Sequence, residues 1–376
     1  MRVAILAGEE SGDRLGGALM TALAARRTIA WCGVGGEDMV AAGLDPLFAL
    51  HEISVMGIDA IVRRLPALLR RIAEATDAVV AFRPDVLVVI DAPEFNHRVA
   101  RRVRRRLPRV PIVNYVSPTV WAWRPGRARA MRPYVDLVLA LFPFEPAAHQ
   151  RLGGPPCVYV GHPLFEAMRS VGEGAAAGDE STLLVLPGSR RAEVERLMPV
   201  FGEALARLAP GLPVELLAVP HLAARVEALA AGWATPPRIL VGAAHKRSAF
   251  ARAYAALAAS GTVTLELSAA RVPMVVAYKL DRAARLVKRL NGVIPIVTAP
   301  SMVLTNIAIG RNAIPAYLEE EATPAALAAA LAPLLSGDRG ERCAQLEAFD
   351  EFAAAMRVPR PPADLAAEAV LSLVDA

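Results

Sequence analysis

Cysteine is scarce in this sequence of 376 residues. The three cysteines, Cys32, Cys157 and Cys343, lie far apart and form no C-x-x-C pair. A disulfide framework and a zinc cage are therefore both disfavoured. The six histidines show no spacing typical of metal ligands, and there is no D-x-D for holding a nucleotide-bound metal. We expect no metal and no cofactor.

Lysine is also rare, being limited to Lys246, Lys279 and Lys288, so arginine carries the net charge of +5. Arginine binds phosphate bidentately and stays protonated, which makes anionic partners the expected ones. Aromatic residues make up only 5% of the chain. Nucleic-acid binding would need a recognised motif with interleaved aromatics, and none is present.

Long uncharged runs are few, although 55% of the residues are hydrophobic and the mean hydropathy is +0.37. This composition excludes a disordered chain. The longest uncharged stretch, Leu290–Gly310, contains Pro295 and Pro300, so it is predicted to be a buried loop-strand-loop and not a membrane span. The start of the chain turns acidic at Glu9, too early for a signal peptide. We expect a cytoplasmic protein that can lie on a membrane surface.

Short apolar runs alternate with helical patterns along most of the chain. Continuous Val, Ile and Leu runs between turn residues are typical of strands buried on both faces of a parallel sheet. Strand–helix alternation therefore predicts an α/β fold with doubly wound sheets. The predicted strands are Arg2–Ala7, Thr28–Gly33, Val86–Ile90, Ile112–Val116, Leu137–Leu141, Val158–Val160, Thr182–Leu186, Val214–Val219, Ile239–Val241, Ala255–Ala259 and Met274–Tyr278, and the main helical patterns are Ile58–Phe82, Asn96–Leu107 and Phe144–Leu152.

The alternation is interrupted at residues 169–180, which are rich in Gly, Ala and charge and are predicted to be a linker. We expect a Rossmann-like domain at 1–168 and a second one at 181–350. Residues 351–376 are predicted to form a helical tail that packs back on the first domain. Two such domains leave a central cleft, and ligands bind at the carboxyl ends of parallel strands.

Two acidic motifs follow predicted strands in the first half. Glu9 lies in the turn before the first helix, where Ser11 or Asp13 is expected to cap that helix. The turn is not G-x-G-x-x-G, and a carboxylate suits a sugar hydroxyl better than a phosphate. Asp91 follows Val86–Ile90 directly, which is a position for a general base. The alternative in both cases is a turn or capping residue only.

The second half has two motifs that suit a phosphorylated ligand. Gly188-Ser189-Arg190 joins a strand to a helix, and a helix N-terminus with a hydroxyl and an arginine is an anion site. It lacks the lysine of a P-loop. Ser260-Gly261-Thr262 is placed in the same way, and Glu266 one turn later can accept ribose hydroxyls. The alternative is a capping hydroxyl with a surface glutamate.

Trp121 and Trp123 follow the strand ending at Val116 and are either core anchors or an amphipathic wall for a sugar or acyl chain. Two segments are rich in arginine. Residues 58–73 combine an apolar face with Arg63, Arg64, Arg70 and Arg71, a pattern typical of helices on anionic membranes. The alternative is a solvated helix face. The run Arg98–Arg109 contains seven arginines and receives no predicted role.

Eight motifs in register resemble those of the lipid-A-disaccharide synthases, which are inverting glycosyltransferases of the two-Rossmann GT-B type. The resemblance covers nearly the whole chain. The motifs are Gly8-Glu9-x-Ser11-Gly12-Asp13, Ser54-Val55-Met56-Gly57, Ile90-Asp91-Ala92-Pro93-x-Phe95-Asn96, Ser117-Pro118-x-Val120-Trp121-Ala122-Trp123, Pro143-Phe144-Glu145, Gly161-His162-Pro163, Leu186-Pro187-Gly188-Ser189-Arg190 and Ser260-Gly261-Thr262.

The resemblance implies a reaction and a location. The family transfers 2,3-diacylglucosamine from its UDP derivative to 2,3-diacylglucosamine 1-phosphate, giving a β-1,6-linked disaccharide 1-phosphate and UDP. It needs no metal and lies peripherally on the cytoplasmic face of the inner membrane.

The resemblance also implies site residues. Asp91 is the first choice for the general base and Glu9 the second. Ser11, Trp121, Trp123 and the arginines of residues 58–73 fall on the acceptor or membrane side. The UDP side comprises Gly188, Ser189, Arg190, Ser260, Gly261, Thr262, Glu266 and Asn306. Glu10, Thr305 and Ala308 depart from the family pattern, which affects the C-terminal loop more than the reaction.

Other functions stay open at this point. One is a different UDP-sugar enzyme of the same fold, such as the peptidoglycan lipid-intermediate N-acetylglucosaminyltransferase or a UDP-sugar 2-epimerase. Those families carry other motifs in the N-terminal half. A non-enzymatic alternative is a two-lobed nucleotide-sugar-binding protein.

Overall fold

The computed structural model describes residues 1–53, 58–165, 182–280, 301–336 and 339–375, with side chains for all of these except 58–64 and 339. The chain forms two compact units. Unit 1 consists of Met1–Pro163 together with Val358–Ala376, and unit 2 consists of Leu164–Arg357. The predicted linker 169–180 and the motif 54–57 lie outside the described residues.

Unit 1 alternates strands and helices from its first residues. Its elements up to residue 159 are β1 (Arg2–Ala7), α1 (Glu10–Ala24), β2 (Ala30–Val34), α2 (Glu37–Ala41), α3 (Ile58–Phe82), β3 (Val86–Ile90), α4 (Pro93–Arg106), β4 (Ile112–Tyr115), α5 (Gly126–Met131), β5 (Leu137–Ala140), α6 (Glu145–Arg151) and β6 (Cys157–Tyr159). All six strands are parallel, in the order β2-β1-β3-β4-β5-β6.

Unit 2 repeats this design. Its elements are β7 (Thr182–Leu186), α7 (Arg191–Leu205), β8 (Val214–Ala218), α8 (Ala223–Ala230), β9 (Arg238–Val241), α9 (Lys246–Arg252), β10 (Ala253–Ala259), α10 (Thr262–Ala269), β11 (Met274–Tyr278), α11 (Leu304–Ile309), β12 (Ala316–Leu318), α12 (Pro324–Leu335) and α13 (Arg339–Ala355). Its strands are also parallel, in the order β12-β11-β10-β7-β8-β9. The last helix, α14 (Pro362–Asp375), belongs to unit 1 and packs on α1.

The cores explain why these residues form strands. All five residues of β3 and all five of β7 are buried, because helices cover both faces of each sheet. Layers of Val, Leu and Ala fill the space between sheet and helices in both units. The predicted α/β fold with two parallel sheets is confirmed.

Each sheet reverses its strand order once. In unit 1 the reversal lies between β1 and β3, and in unit 2 it lies between β7 and β10. In open parallel sheets, ligands bind outside the carboxyl ends of the strands at such a reversal. Each unit therefore has one preferred place for a ligand, set by topology.

Two local predictions are corrected, and one strand was missed. The described part of the stretch predicted as loop-strand-loop, residues 301–310, contains the helix α11, and residues 281–300 lie outside the described part. The short strand β12 was not predicted, since it has only three half-buried residues. Neither Ser11 nor Asp13 caps α1, because the N-cap is Glu9 and it makes no side-chain capping bond.

Asp13 instead caps a different helix. Its buried carboxylate accepts hydrogen bonds from the backbone N–H groups of Gly36 (2.6 Å), Asp38 (2.9 Å) and Met39 (3.2 Å) at the start of α2. These groups are the donors that a helix leaves unpaired at its N-terminus. Asp13 thus ties α1 to α2.

Candidate active site

The two candidate carboxylates of unit 1 follow adjacent strands at the strand-order reversal. Ala7 of β1 is paired with Ile90 of β3, so the turns that begin at Gly8 and Asp91 leave the sheet side by side. A Cβ atom on Gly8 would lie 2.1 Å from the Cβ of Ala92, which excludes any larger residue there. The close contact brings the turn of Glu9 and the turn of Asp91 together.

The backbone at Asp91 has an uncommon conformation. Asp91 has φ +52° and Ala92 has φ +41°, both in the left-handed region that non-glycine residues rarely adopt. Such strain is retained where the surroundings fix it, and it is frequent at functional sites. Here the Asn96 side-chain amide donates to the carbonyls of Ile90 and Asp91, at 2.9 Å each. Asn96 therefore holds this turn in position, a role that its place in the family motif did not indicate.

The carboxyl group of Asp91 is a stronger base than an ordinary aspartate. Burial raises its pKa, and the backbone N–H of Ala92 opposes this to a smaller extent. Desolvation disfavours the charged form, which is how enzymes adjust a carboxylate for proton abstraction. Glu9 is half-buried at the N-cap of α1.

Trp121 is fixed by a buried carboxylate. Its indole N–H donates to Oε1 of Glu145 at 3.3 Å, and its ring packs edge-on against Phe144. Glu145 is only 2% exposed, and its Oε2 accepts from the backbone N–H groups of Leu141 and Phe142 at 3.0 Å each. Burial raises the pKa of Glu145 to about 7. Trp121 and Trp123 are both half-buried.

A cavity of about 450 Å³ lies at the strand-order reversal of unit 2. Most of the predicted UDP-side residues line it, namely Gly188, Ser189, Arg190, Ser260, Gly261, Thr262 and Glu266. They come together because β7 pairs with β10, Leu186 being opposite Ala258. The volume lies within the range usual for small-molecule sites.

Two helix N-termini point to this cavity. Helix α7 starts after Arg190 and helix α10 starts after Gly261, and neither start has a side-chain capping bond. The first backbone N–H groups of a helix, together with its dipole, favour an anion. Gly188 has φ +106°, and a Cβ there would meet Oε2 of Glu193 at 2.8 Å, so the turn that precedes α7 requires glycine.

The charges lining this cavity occur in pairs. Arg190 contacts Glu193 at 3.0 Å with 66% of its own side chain exposed, and Lys246 contacts Glu266. Arg190 can therefore turn to a ligand at low cost. Glu193 and Lys246 were missed by the sequence analysis, although Lys246 is one of only three lysines. The rarity of lysine in this chain could have pointed to Lys246 as a candidate site residue.

Asn306 does not line this cavity, in contrast to the prediction. Its side chain is 3% exposed and holds the segment after α11. The amide nitrogen donates to the Ile314 carbonyl at 2.9 Å, and the oxygen accepts from the N–H groups of Ala313 and Ile314. Both ends of the amide are thus engaged by the backbone.

Helix α3 carries the residues expected at a membrane. Leu65 and Leu69 are each 40% exposed, although both are large and apolar, and Arg70 is exposed nearby. Arg71 was predicted to lie on the acceptor or membrane side, but it forms ion pairs with Glu52 and Glu74, and its side chain is only 20% exposed. The side chains of Arg63 and Arg64 lie outside the described set, and Ser11 is exposed in the first turn of α1.

The structure carries two further findings on chemistry and membranes. Within the described residues, no three His, Cys, Asp or Glu side chains are grouped so as to hold a metal ion. Among the helices in the same part of the chain, none is both long and apolar enough to span a bilayer.

Comparison with known proteins gives a consistent answer. The family model for lipid-A-disaccharide synthetase matches residues 3–364. A lipid-A-disaccharide synthase of Nitrobacter hamburgensis is 49% identical, over 100% of this chain and 96% of its own. One from Rhodopseudomonas palustris strain HaA2 is also 49% identical, over 99% and 96%.

Solved structures share the fold at low identity. A UDP-GlcNAc 2-epimerase from Neisseria meningitidis, bound to UDP-GlcNAc, superposes with a TM-score of 0.60 at 11% identity, covering 99% of both chains. MurG from Acinetobacter baumannii superposes with a TM-score of 0.57 at 16% identity, covering 100% of this chain and 99% of its own.

Proposed function

The chain belongs to the lipid-A-disaccharide synthetase family of glycosyltransferases, and we propose that it uses that family's two lipid substrates. The donor is UDP-2,3-diacylglucosamine and the acceptor is 2,3-diacylglucosamine 1-phosphate. The products are the β-1,6-linked disaccharide 1-phosphate and UDP. The cavity of unit 2 supports the donor assignment, because it is lined by seven of the residues predicted to bind UDP.

We place the UDP diphosphate at the starts of α7 and α10. Backbone N–H groups and the hydroxyls of Ser189 and Thr262 can donate to phosphate oxygens there. Arg190 is exposed enough to swing from Glu193 to the diphosphate. Lys246 contacts Oε2 of Glu266, and Oε1 of that carboxylate is the atom we expect to accept a ribose hydroxyl.

We assign the acceptor and the proton transfer to unit 1. The 6-hydroxyl oxygen of the acceptor attacks C1 of the donor sugar and Asp91 takes its proton, as the bond from C1 to the diphosphate breaks. Attack opposite the leaving group inverts C1 and gives the β-linkage. The raised pKa of Asp91 supports this role. Glu9 is the second choice, since its turn contacts that of Asp91.

The leaving UDP gathers negative charge in the transition state, which resembles an oxocarbenium ion. Donors that are already in position stabilise such charge without reorganisation. We propose that the two helix N-termini and Arg190 supply that stabilisation in this protein, with no metal needed.

The membrane side is proposed to be α3. Both substrates carry acyl chains, so the enzyme must work at a lipid surface. Exposed Leu65 and Leu69 beside the cationic Arg70 make an apolar face with a basic edge. This combination suits binding to the anionic cytoplasmic face of the inner membrane.

The direct test is a reaction with purified protein, UDP-2,3-diacylglucosamine and 2,3-diacylglucosamine 1-phosphate. We expect disaccharide 1-phosphate and UDP in equal amounts, and no turnover of donor without acceptor. UDP binding with no disaccharide would favour the nucleotide-sugar-binding alternative. Conversion of UDP-N-acetylglucosamine into its 2-epimer would favour the epimerase alternative.

A further inference from the structure

A second cavity lies in unit 1, on the part of the arginine-rich run that the proposed function leaves unused. Its volume is about 460 Å³, and residues of α4 and of the segment 124–134 line it. Four arginines contribute to the lining, namely Arg98 and Arg101 from α4 and Arg124 and Arg127 from around the start of α5. Elsewhere in the run, Arg104 and Arg106 form ion pairs with Asp136 and Asp77, and Arg105 and Arg109 are exposed.

The lining has a large excess of positive charge. Among the described residues that line the cavity, Glu94 is the one carboxylate, and it contacts Arg127 at 3.1 Å and Arg98 at 3.7 Å. Four guanidinium groups against one carboxylate leave three positive charges in a concave site. The cavity of unit 2 has two pairs of opposite charges. A concave cationic site attracts an anion of high charge density, and guanidinium groups match the oxygens of a phosphate.

A buried network holds one of these arginines in place. Asn114 donates through its nitrogen to the Val116 carbonyl, so its oxygen accepts from Nε2–H of His97 at 3.0 Å. Nδ1 of His97 then accepts from the hydroxyl of Tyr134 at 2.9 Å. Burial lowers the pKa of His97 to about 4, which keeps the ring neutral.

The network ends at Arg101. Its guanidinium donates to the Tyr134 hydroxyl at 3.2 Å and stacks over the Tyr134 ring at 4.7 Å. This arginine is therefore oriented before any ligand arrives, which lowers the entropy lost on binding. Arg124 has φ +51°, a left-handed conformation for a bulky residue, as at Asp91.

The cavity is close along the chain to the proposed base. Pro93 lines it and is only two residues from Asp91, which is at most roughly 7 Å of chain. The attacking 6-hydroxyl of the acceptor must reach Asp91, whereas its phosphate is attached to C1 across the sugar ring. A phosphate site beside the base would therefore set the orientation of the acceptor.

We propose that this arginine-lined cavity binds the 1-phosphate of the acceptor sugar. The proposal rests on the proposed function and adds the subsite that selects a phosphorylated acceptor. Arg98, Arg101, Arg124 and Arg127 are the residues assigned to the phosphate oxygens. The anionic headgroup of a membrane lipid is the other source of the same chemistry, and the test below separates the two.

The test compares two double variants with the same change in charge. Arg98→Gln with Arg124→Gln alters the cavity, and Arg105→Gln with Arg109→Gln alters exposed arginines outside it. For the cavity variant we expect the KM for the acceptor to rise roughly tenfold or more, because charge-assisted hydrogen bonds are lost. Its KM for the UDP donor should stay within about twofold of wild type, as should all constants of the control.

Two binding measurements make the result independent of turnover. Calorimetric titration with glucosamine 1-phosphate should show affinity that the cavity variant loses and the control keeps. Sedimentation with phosphatidylglycerol vesicles should show equal binding for both variants. Urea unfolding checks that unit 1 of each variant is folded, since the substitutions lie in that unit.

The outcomes distinguish failure of the phosphate subsite from failure of the proposed function. An unchanged acceptor KM together with unchanged glucosamine 1-phosphate binding overturns the phosphate subsite while the proposed function stands. Loss of vesicle binding with an unchanged acceptor KM overturns it in favour of a lipid headgroup. If the wild type makes no disaccharide, the proposed function fails, and glucosamine 1-phosphate binding still decides whether the cavity is a phosphate site.

Discussion

At the scale of single residues, the carboxyl group of Asp91 combines several features of a catalytic base. It follows a buried strand, its backbone is in a left-handed conformation, and burial raises its pKa. Asn96 holds the turn through the carbonyls of Ile90 and Asp91. The residue type and its position after β3 were predictable from the sequence. The left-handed backbone at Asp91 and the hydrogen bonds from Asn96 were not.

The first prediction concerns Asp91→Asn. We expect kcat for disaccharide formation to fall by about 10²–10⁴, because general-base assistance is lost while the shape of the side chain is kept. The Kd for UDP, measured by titration, should be nearly unchanged, since the residues proposed to bind UDP lie in unit 2. A collapse of UDP affinity would instead make Asp91 a donor-site or structural residue.

The same residue predicts the pH dependence. A base must be deprotonated to act, so kcat/KM should fall as the pH drops through the pKa of Asp91, which burial raises above the ordinary aspartate value. Glu9→Gln should keep this acidic limb if Asp91 is the base. Loss of the limb in Glu9→Gln would transfer the role to Glu9.

The second prediction concerns Glu145, whose pKa is raised from 4.5 to about 7 by burial. Between these two pH values the unfolded chain releases the proton while the folded chain retains it, so the free energy of unfolding decreases as the pH rises across that window. Glu145→Gln should remove this decrease. It should also weaken the contact to Trp121, because an amide nitrogen cannot accept from the indole N–H.

Urea unfolding at pH 5 and pH 7.5 measures this effect. Asp45→Asn is the control, an exposed carboxylate in the same unit. A difference between the two pH values that is as large in Glu145→Gln as in wild type would contradict the assignment.

At the scale of elements, helix α3 shows what periodicity does and does not reveal. The amphipathic pattern predicted a helix at Ile58–Phe82, and the structure has that helix with the same bounds. The partners of its arginines depend on distant residues. Arg71 pairs with Glu52 from another part of the chain and lies over the ring of Phe48.

The third prediction therefore uses the leucines of α3. Leu65→Ser with Leu69→Ser should reduce binding to phosphatidylglycerol vesicles by at least about tenfold, since each buried leucine contributes about 1.5–3 kcal/mol. Sedimentation with vesicles is the measurement. Stability should change little because both side chains are already exposed.

Val40→Ser is the matched control, since Val40 on α2 is the most exposed of the described large hydrophobic residues. Its vesicle binding should equal that of wild type. Equal binding by the leucine variant would remove α3 from the membrane surface.

At the scale of the whole molecule, two parallel six-stranded sheets each contain one reversal of strand order. The candidate carboxylates follow the strands at one reversal, and the phosphate-type motifs follow the strands at the other. We therefore expect UDP to affect residues of unit 2 and the acceptor to affect residues of unit 1.

The fourth prediction is that UDP slows amide hydrogen exchange mainly at the starts of α7 and α10. At a UDP concentration of 100 times Kd, the opening free energy there should rise by about 2.7 kcal/mol. Uridine, which lacks the diphosphate, should protect these helix starts much less. Equal protection by uridine would mean that the diphosphate does not bind there.

Much of the fold was predictable because the signals are local. All eleven predicted strands are present, with bounds shifted by no more than two residues, since runs such as that of β3 are buried on both faces. The short strand β12 and the helix α11 were missed, because their half-buried or mixed residues carry weak periodicity. The domain bounds and the linker stay predictions.

The candidate site was predictable to the extent that motifs follow strands directly. Seven of the residues predicted for the donor line one cavity, because each lies at or within one turn of a strand-to-helix junction. Asn306 was placed with them by resemblance, but its amide is engaged by the backbone of Ala313 and Ile314. Lys246 and Glu193 were missed because their contribution depends on which helices begin at the same cavity.

The sequence by itself determined the alternation of strands and helices, the residue types at the junctions and the family of the chain, because all three are written in short stretches. Only the tertiary structure decided which junctions meet, since strand order is set by pairing between distant segments. The tertiary structure also decided the surroundings of each arginine. Some form ion pairs, some are exposed, and four surround a cavity in unit 1. The sequence gives the number of charged residues, whereas the fold decides which of them lie close enough together to bind one anion.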